Sequence, residues 1–198
     1  MMKRSFDFLL AGLGILLLLP FFGLVFFLIK MDSPGPFFFR QERMGREFRP
    51  FLIYKFRTMV QDAPSMGGLI TAGQDPRITR IGRLLRKTKI DELPQLFNVL
   101  KGDMSFVGPR PEVRRYVELF DRDYREILKV RPGITDIASL EYHQEAAVLG
   151  GAVNPEEMYV TKILPHKIRL AKEYLERSSF LFDMSLIVRT VLRIAGSR

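Results

Sequence analysis

The sequence predicts an α+β protein: a mostly helical compact domain with one small β-hairpin, preceded by an N-terminal re-entrant membrane helix and carrying interfacial amphipathic helices. Three observations support this. Phe6 to Ile29 is apolar apart from Asp7, and at about 1.5 Å per residue it matches a hydrocarbon core of about 30 Å. Two aromatic-rich runs, Phe37 to Phe39 and Phe51 to Phe56, flank a basic turn at Gly45-Arg46. Much of the remainder repeats with the helical period. The chain has 198 residues and no Ser/Gly/Pro-rich linker or internal repeat, so it divides into a membrane element at 1–32 and one domain at 33–198.

The N-terminal segment is long enough to cross a bilayer, but its flanks argue against crossing. Lys3 and Arg4 precede it, and Lys30, Arg40, Arg43, Arg46 and Arg49 follow, so the positive-inside tendency puts both ends on the cytoplasmic side. Pro20 lies near the middle, where its missing N–H and its clash with the carbonyl of Leu16 fit a re-entrant helix–break–helix, and equally a tilted, kinked transmembrane helix. A cleavable signal does not fit, because the apolar run is too long and no small-x-small site follows.

Asp32 to Pro36 reads as a turn at the membrane exit, followed by the hairpin. Its phenylalanines suit core or membrane-surface packing better than base stacking. Val60 to Asp75 has no period and is expected to be a mobile loop near the site. Pro76 to Lys87 is helical: Ile78, Ile81, Leu84 and Leu85 share one arc, and the basic remainder reads as a solvated or lipid-facing surface. Glu112 to Val130 and Pro155 to Arg177 are further helices, separated by the Arg131-Pro132-Gly133 turn and a loose stretch from Leu149 to Asn154. Phe180 to Ala195 places Phe180, Leu181, Met184, Ile187, Val188, Val191, Leu192 and Ala195 on one face, as an interfacial helix would, although docking onto the core is an equally ordinary use of such a stripe.

The formal net charge of +9 calls for an acidic partner: nucleic acid, anionic lipid or a phosphorylated substrate. Nucleic acid is the weakest of these, since no recognised motif accompanies the charge and the apolar N-terminus is left unexplained. With no cysteine and two histidines, disulfides and thiolate metal sites are excluded and a histidine-rich zinc site has little scope.

The stretch from Lys87 to Pro111, KTKIDELPQLFNVLKGDMSFVGPRP, sets the pair Asp91-Glu92 between basic surroundings. A carboxylate can attack phosphorus or hold Mg²⁺, while guanidinium groups neutralise the phosphates that would repel it. The same residues also fit a plain helix start, with Asp91 as N-cap, Glu92 and Pro94 in the first turn and Gly102 at the end. Alternation in YKFRTM (Tyr54 to Met59) would put Lys55 and Arg57 on one strand face.

These motifs, with SPGPFFFRQERMG (Ser33 to Gly45), the run from Ile78 to Pro111 and KVRPGIT (Lys129 to Thr135), resemble the bacterial sugar transferases, the monotopic polyprenol-phosphate phosphoglycosyl transferases. The resemblance runs in register from the N-terminus to about Thr135. It implies that Asp91 is the nucleophile and that Glu92 assists in Mg²⁺ binding or orientation. Attack on the β-phosphorus of a nucleotide diphosphate sugar, commonly a UDP-sugar, would leave a phosphosugar on Asp91 and release the nucleoside monophosphate. Polyprenyl (undecaprenyl) phosphate would then accept the group, initiating glycoconjugate assembly. The cofactor implied is Mg²⁺. Membrane lipid is a partner, and a homodimer is compatible. The implied location is the cytoplasmic face of the bacterial inner membrane. Lys55, Arg57, Arg86 and Arg110 match basic family positions and are the phosphate-binding candidates.

Two departures stand out. Leu19 occupies the position before Pro20 where many members carry Ser. After Thr135 the chain reads DIASLEYHQE, with His143 at the register of a family arginine, so either sugar recognition is rebuilt or Arg131 or Lys129 supplies the charge. The alternative from another class is a non-catalytic basic membrane-surface binding module, for which Asp91-Glu92 is only a cap.

Overall fold

The computed structural model describes residues 2–142 and 145–196. Helix α1, Met2–Asp32, runs without interruption through Pro20, so the expected break is replaced by one continuous helix. A proline removes a single backbone hydrogen bond, and the packing along the whole helix outweighs that loss. The stripe Asp7, Ala11, Phe22, Val25 and Ile29 is buried, whereas Leu9, Leu13, Leu16, Leu17, Leu24 and Phe27 on the remaining faces are exposed. Each fully buried aliphatic or aromatic side chain on the stripe contributes roughly 1.5–3 kcal/mol.

The hairpin forms as the sequence predicts, from β1 (Phe38–Met44) and β2 (Pro50–Phe56), antiparallel with Phe38 opposite Phe56. Phe56 is buried in the core, Phe38 and Phe51 pack partly buried against it, and Phe39 is exposed. Phe22 of α1 meets Phe56 edge-on at 5.1 Å, and Phe37 meets Phe56 at 5.0 Å. The loop beyond contains a short helix α2 (Ala63–Met66) and leads to α3 (Arg80–Lys87), capped by Thr79, whose side chain accepts from Gly82 N–H. Gly82 is required there, because a Cβ would lie 2.0 Å from the Thr58 carbonyl oxygen. That close approach lets α3 pack against the end of the hairpin.

Helix α4 (Gln95–Lys101) closes on Gly102, whose φ of 95° suits glycine. It leads to β3 (Ser105–Val107), then α5 (Arg114–Leu119) and α6 (Asp121–Ile127), two helices where the sequence suggested one. Strand β4 (Gly133–Thr135) pairs with β3 in parallel, a pairing the sequence did not announce. Helices α7 (Ile137–Glu141) and α8 (Glu145–Gly150) follow, the latter occupying part of the stretch read as loose. The helical run predicted from Pro155 is α9 (Pro155–Met158), a π-helical turn at Tyr159–Ile163 and α10 (Leu164–Arg177). Helix α11 (Phe180–Gly196) buries Asp183 and Leu186 and exposes Leu181, Val188, Val191 and Leu192.

Both ends of α1 are fixed to this body. At the start, Lys3 Nζ lies 2.6 Å from Asp183 Oδ2, Arg4 donates to the carbonyls of Val99 and Leu100, and Asp7 Oδ1 accepts from Phe106 N–H. At the far end, Asp32 Oδ2 accepts from Ile81 N–H at 2.9 Å and Arg57 donates to Ser33 at 2.6 Å.

Candidate active site

Helix α3 ends at Thr88, and Lys89 then adopts a left-handed conformation with φ of 57°. That turn redirects the chain so that Ile90–Glu92, a single 3-10 turn, presents its acids toward the hairpin. Asp91 is therefore not the N-cap of α4, a place taken by Pro94, and the helix-start explanation of the pair fails. With α4 only seven residues long and beginning beyond the pair, charge and burial around Asp91 matter more than a helix dipole.

Glu92 is enclosed by cations. Its Oε1 receives Lys55 Nζ at 2.8 Å and Arg110 Nη2 at 2.5 Å, while Arg110 Nη1 lies 3.3 Å from Oε2, a forked guanidinium–carboxylate pair. Burial alone would raise the Glu92 carboxyl, but Arg110 and Lys55 outweigh it and hold Glu92 well below the usual carboxylate range. In return Glu92 raises the Arg110 guanidinium, whereas burial pushes the Lys55 ammonium down against the pull of Glu92.

Asp91 is in the opposite situation. It is 7 % exposed, and its Oδ1 has no hydrogen-bond partner among the described residues. Burial raises its carboxyl, opposed first by Lys55 and reinforced by neighbouring Glu92, with Arg86 also lowering it. Arg86 is oriented by donating Nε–H to Thr58 Oγ1 at 2.8 Å. Arg110 is set by the parallel strand pair and by Asp136, whose Oδ2 accepts from Arg110 N–H at 3.2 Å and whose Oδ1 caps α7.

The pair opens into a cavity of about 1390 Å³. Lys55, Arg57, Arg86, Asp91, Glu92 and Arg110 all line it. The basic arc of α3 also turns inward, since Arg83, Arg86 and Lys87 line the same space rather than a purely solvated or lipid-facing surface. Lys55 and Arg57 share this wall but point to different partners, Lys55 to Glu92 and Arg57 to Ser33. Arg57 is 5 % exposed, and its Nε and Nη1 have no partner among the described residues. Arg131 is not brought here: its Nε–H donates to the Gly102 carbonyl, and its guanidinium is depressed by burial and by Arg4 and Arg46. His143 lies outside the described residues.

Among the described residues no cluster of three or more His, Cys, Asp or Glu could cage a metal. The donors present fit a substrate-borne Mg²⁺, which takes one or two carboxylates and completes its shell with phosphate and water oxygens. Asp91 is the unengaged carboxylate; the oxygens of Glu92 are taken by Lys55 and Arg110.

Sequence reading missed Glu112, Tyr159, Lys167 and Glu145, which form the cavity wall beyond Arg110. Glu112 accepts from Arg43 Nη1 at 2.9 Å and from the Tyr159 hydroxyl, and Lys167 is ion-paired with Glu145. Tyr159 sits on the π-helical turn, a departure from α geometry frequent at functional sites but without a sequence signature here.

The sequence model of the bacterial sugar transferase family matches residues 1–197. A UDP-N-acetylgalactosamine-undecaprenyl-phosphate N-acetylgalactosaminephosphotransferase from Aeromonas hydrophila is 42% identical over 204 residues, covering 99% of this chain and 45% of that protein. An exopolysaccharide production protein PSS from Rhizobium leguminosarum bv. phaseoli is 38% identical over 201 residues, covering 96% and 94%. A UDP-glucose:undecaprenyl-phosphate glucose-1-phosphate transferase from Caulobacter vibrioides is 37% identical over 194 residues, covering 96% and 68%. The chain thus spans about half the length of the Aeromonas relative and most of the Rhizobium one.

Proposed function

The chain belongs to the bacterial sugar transferase family, and on that premise we propose that it transfers a sugar 1-phosphate from a UDP-sugar to undecaprenyl phosphate through a covalent intermediate on Asp91. The observation that carries this reading is the Asp91 carboxyl, buried and without a hydrogen-bond partner at Oδ1, on a residue that lines a cavity shared with Lys55, Arg86 and Arg110. A carboxylate left without donors keeps its lone pairs for an electrophile, while the surrounding cations lower the cost of bringing two phosphates to it.

In the first step an Asp91 oxygen bonds to the β-phosphorus, and the bond from that phosphorus to the bridging oxygen breaks. UMP departs with the electron pair. In the second, an oxygen of the lipid phosphate bonds to the same phosphorus and the acyl-phosphate P–O bond breaks. The Asp91 carboxylate is regenerated with the polyprenyl diphosphate-sugar. Glu92 holds Lys55 and Arg110 in register with the transferring group. Arg86 and Arg57 complete the phosphate-facing wall. When bound, Mg²⁺ would offset the charge on the diphosphate, with Asp91 as its protein ligand and the substrate supplying further oxygens.

A cavity of about 1390 Å³ exceeds the usual range for one small ligand, roughly 300–1,000 Å³, as expected where donor and lipid phosphate visit one centre. The Aeromonas and Caulobacter relatives are named for different sugars, so the donor sugar follows from neither of them. The membrane reading rests on the exposed apolar faces of α1 and α11, which suit the inner membrane with the catalytic body on its cytoplasmic face.

The test is UMP release from a panel of UDP-sugars with undecaprenyl phosphate and Mg²⁺, together with trapping of a phosphosugar adduct. Asp91→Asn should abolish both. Near-normal UMP release by a folded Asp91→Asn protein would sink the mechanism and favour the non-catalytic membrane-surface module.

A further inference from the structure

We propose that the cavity wall formed by Lys167, Glu145 and Tyr142 is the subsite for the donor's sugar ring, with Lys167 and Glu145 making the contacts that set sugar selectivity. This rests on the reaction proposed above, which places the β-phosphorus at Asp91.

The cavity has two chemically unlike walls around the acidic pair. One carries Arg83, Arg86, Lys87 and Lys89 on and after α3, facing the loop before it. That side suits the leaving nucleotide, whose phosphate gains charge as it departs. The other wall, past Arg110, carries the carboxylates of Glu112 and Glu145 and the rings of Tyr142 and Tyr159. Each carboxylate is already paired with a cation, Glu112 with Arg43 and Glu145 with Lys167, so this wall has no surplus charge to hold a second phosphate, whereas a neutral polyol is suited to it. Hydroxyls pair with a carboxylate acceptor and an ammonium donor side by side, and the C–H face of a pyranose packs on an aromatic ring.

The wall is built for precision. Lys167 Nζ is ion-paired with Glu145 and sits 5.0 Å from the Tyr159 ring centroid and 5.7 Å from that of Tyr142. The Lys167 side chain is 13% exposed and that of Glu145 28%, so both are held yet reachable. Tyr159 is a positioning residue: its hydroxyl donates to Glu112, which is also held by Arg43, and its ring supports Lys167. Arg110, Glu112, Asp136 and Lys167 also border a small space of about 20 Å³, enough for one water, which brings this wall against the guanidinium that grips Glu92. The sugar is bonded through its anomeric oxygen to the phosphorus that Asp91 attacks, so its subsite lies next to the acidic pair, and this wall meets that centre at Arg110.

The experiment is isothermal titration of the full chain in detergent with UDP, UDP-N-acetylglucosamine and UDP-N-acetylgalactosamine, with Mg²⁺ present, run beside UMP-release assays. The proteins compared are the otherwise native chain, Glu145→Gln, Lys167→Met and, as a positioning control that keeps the ring, Tyr159→Phe, each carrying Asp91→Asn for the titrations so that the donor is not cleaved and each with Asp91 intact for UMP release. Glu145→Gln and Lys167→Met should change the affinity ratio between the two epimeric donors by roughly tenfold, the scale of one hydroxyl contact to a charged group, with UDP affinity held. Tyr159→Phe should shift that ratio in the same direction by less. A ratio unchanged in both contact variants overturns the subsite, and so does an equal loss for UDP, which would assign the wall to the nucleoside. Selective binding without UMP release would fault the reaction and leave the subsite standing. UMP release with an unchanged ratio would do the reverse.

Discussion

Asp91 and Glu92 are adjacent, yet one is buried without a hydrogen-bond partner at Oδ1 and the other is held by two cations. Their removal should have opposite effects on stability. Glu92 is held below its ordinary pKa, so the stability it contributes is present above the unfolded value near 4.5 and is lost as pH falls through the lower folded value. Glu92→Gln leaves Lys55 and Arg110 without the carboxylate they are bonded to and should cost about 3–5 kcal/mol at neutral pH, the scale of breaking a buried pair. Asp91 is raised by burial, so its contribution is present at low pH and is lost as pH rises through its folded value; Asp91→Asn should raise Tm at pH 7 while abolishing turnover. Thermal melts of the two variants at pH 7 check this, and a lower Tm for Asp91→Asn would contradict it. The same displacement sets the acid limb of kcat/KM. Activity should fall on acidification with a midpoint above the ordinary aspartate value of 3.8, because protonation removes the nucleophile. Lys55 lowers the Asp91 carboxyl, so the residual activity of Lys55→Met should show that limb moved to higher pH.

At the scale of elements, the loop between β2 and α3 is stapled rather than free. Arg77 is paired with Asp75 through Nε at 2.9 Å and Nη2 at 2.6 Å, and it also donates to the carbonyls of Gly68 and Ile70. The loop contributes much of one cavity wall, so the staple fixes that wall without touching the acidic pair. Arg77→Lys keeps the charge but not the planar fork, and should cost about 1–3 kcal/mol. Amide exchange should accelerate across residues 63–73 but not in α10. KM for the UDP-sugar should rise more than kcat falls. Uniform acceleration through the whole chain would mean that the arginine supports global stability instead. No pattern in residues 60–75 reveals this pinning, because one guanidinium meeting backbone carbonyls leaves no periodicity. The hairpin was legible because aromatic runs flank a basic turn, and α3 because its apolar arc repeats at 3.6 residues. The parallel pair β3–β4 was not, since three-residue strands are too short to alternate visibly. Asp91 and Glu92 were singled out by motif chemistry and Lys55, Arg86 and Arg110 by the family resemblance, and all five line one cavity. The wall of Tyr159, Lys167 and Glu145 escaped because it is assembled from separate helices, and Arg131 was misplaced because its charge serves the Gly102 carbonyl.

On the scale of the whole molecule, the question is how a 31-residue apolar helix and a basic body share one membrane. An extended crossing helix would carry its ends to opposite faces, about 30 Å apart or more. Here Lys3, Arg4 and Asp7 at one end and Asp32 and Ser33 at the other are bonded to the same body, and the stripe between them is buried against α3, α4 and the hairpin. Carrying one end across would drag the charged surface of that body into hydrocarbon, at several kcal/mol per charge. Alternatively the helix would have to be torn from its stripe. The arrangement expected is α1 dipping into one leaflet by its exposed faces, with α11 beside it; the starts of the two helices touch through Phe6 and Phe180, ring centroids 5.5 Å apart. A chain without native cysteine makes the test clean. Single cysteines at Ser5 and Pro36, both exposed, should react with an impermeant maleimide from the cytoplasmic side of inverted membrane vesicles and resist it in intact spheroplasts. Labelling of the two positions from opposite sides would require α1 to leave its stripe and cross, and would refute the one-sided arrangement.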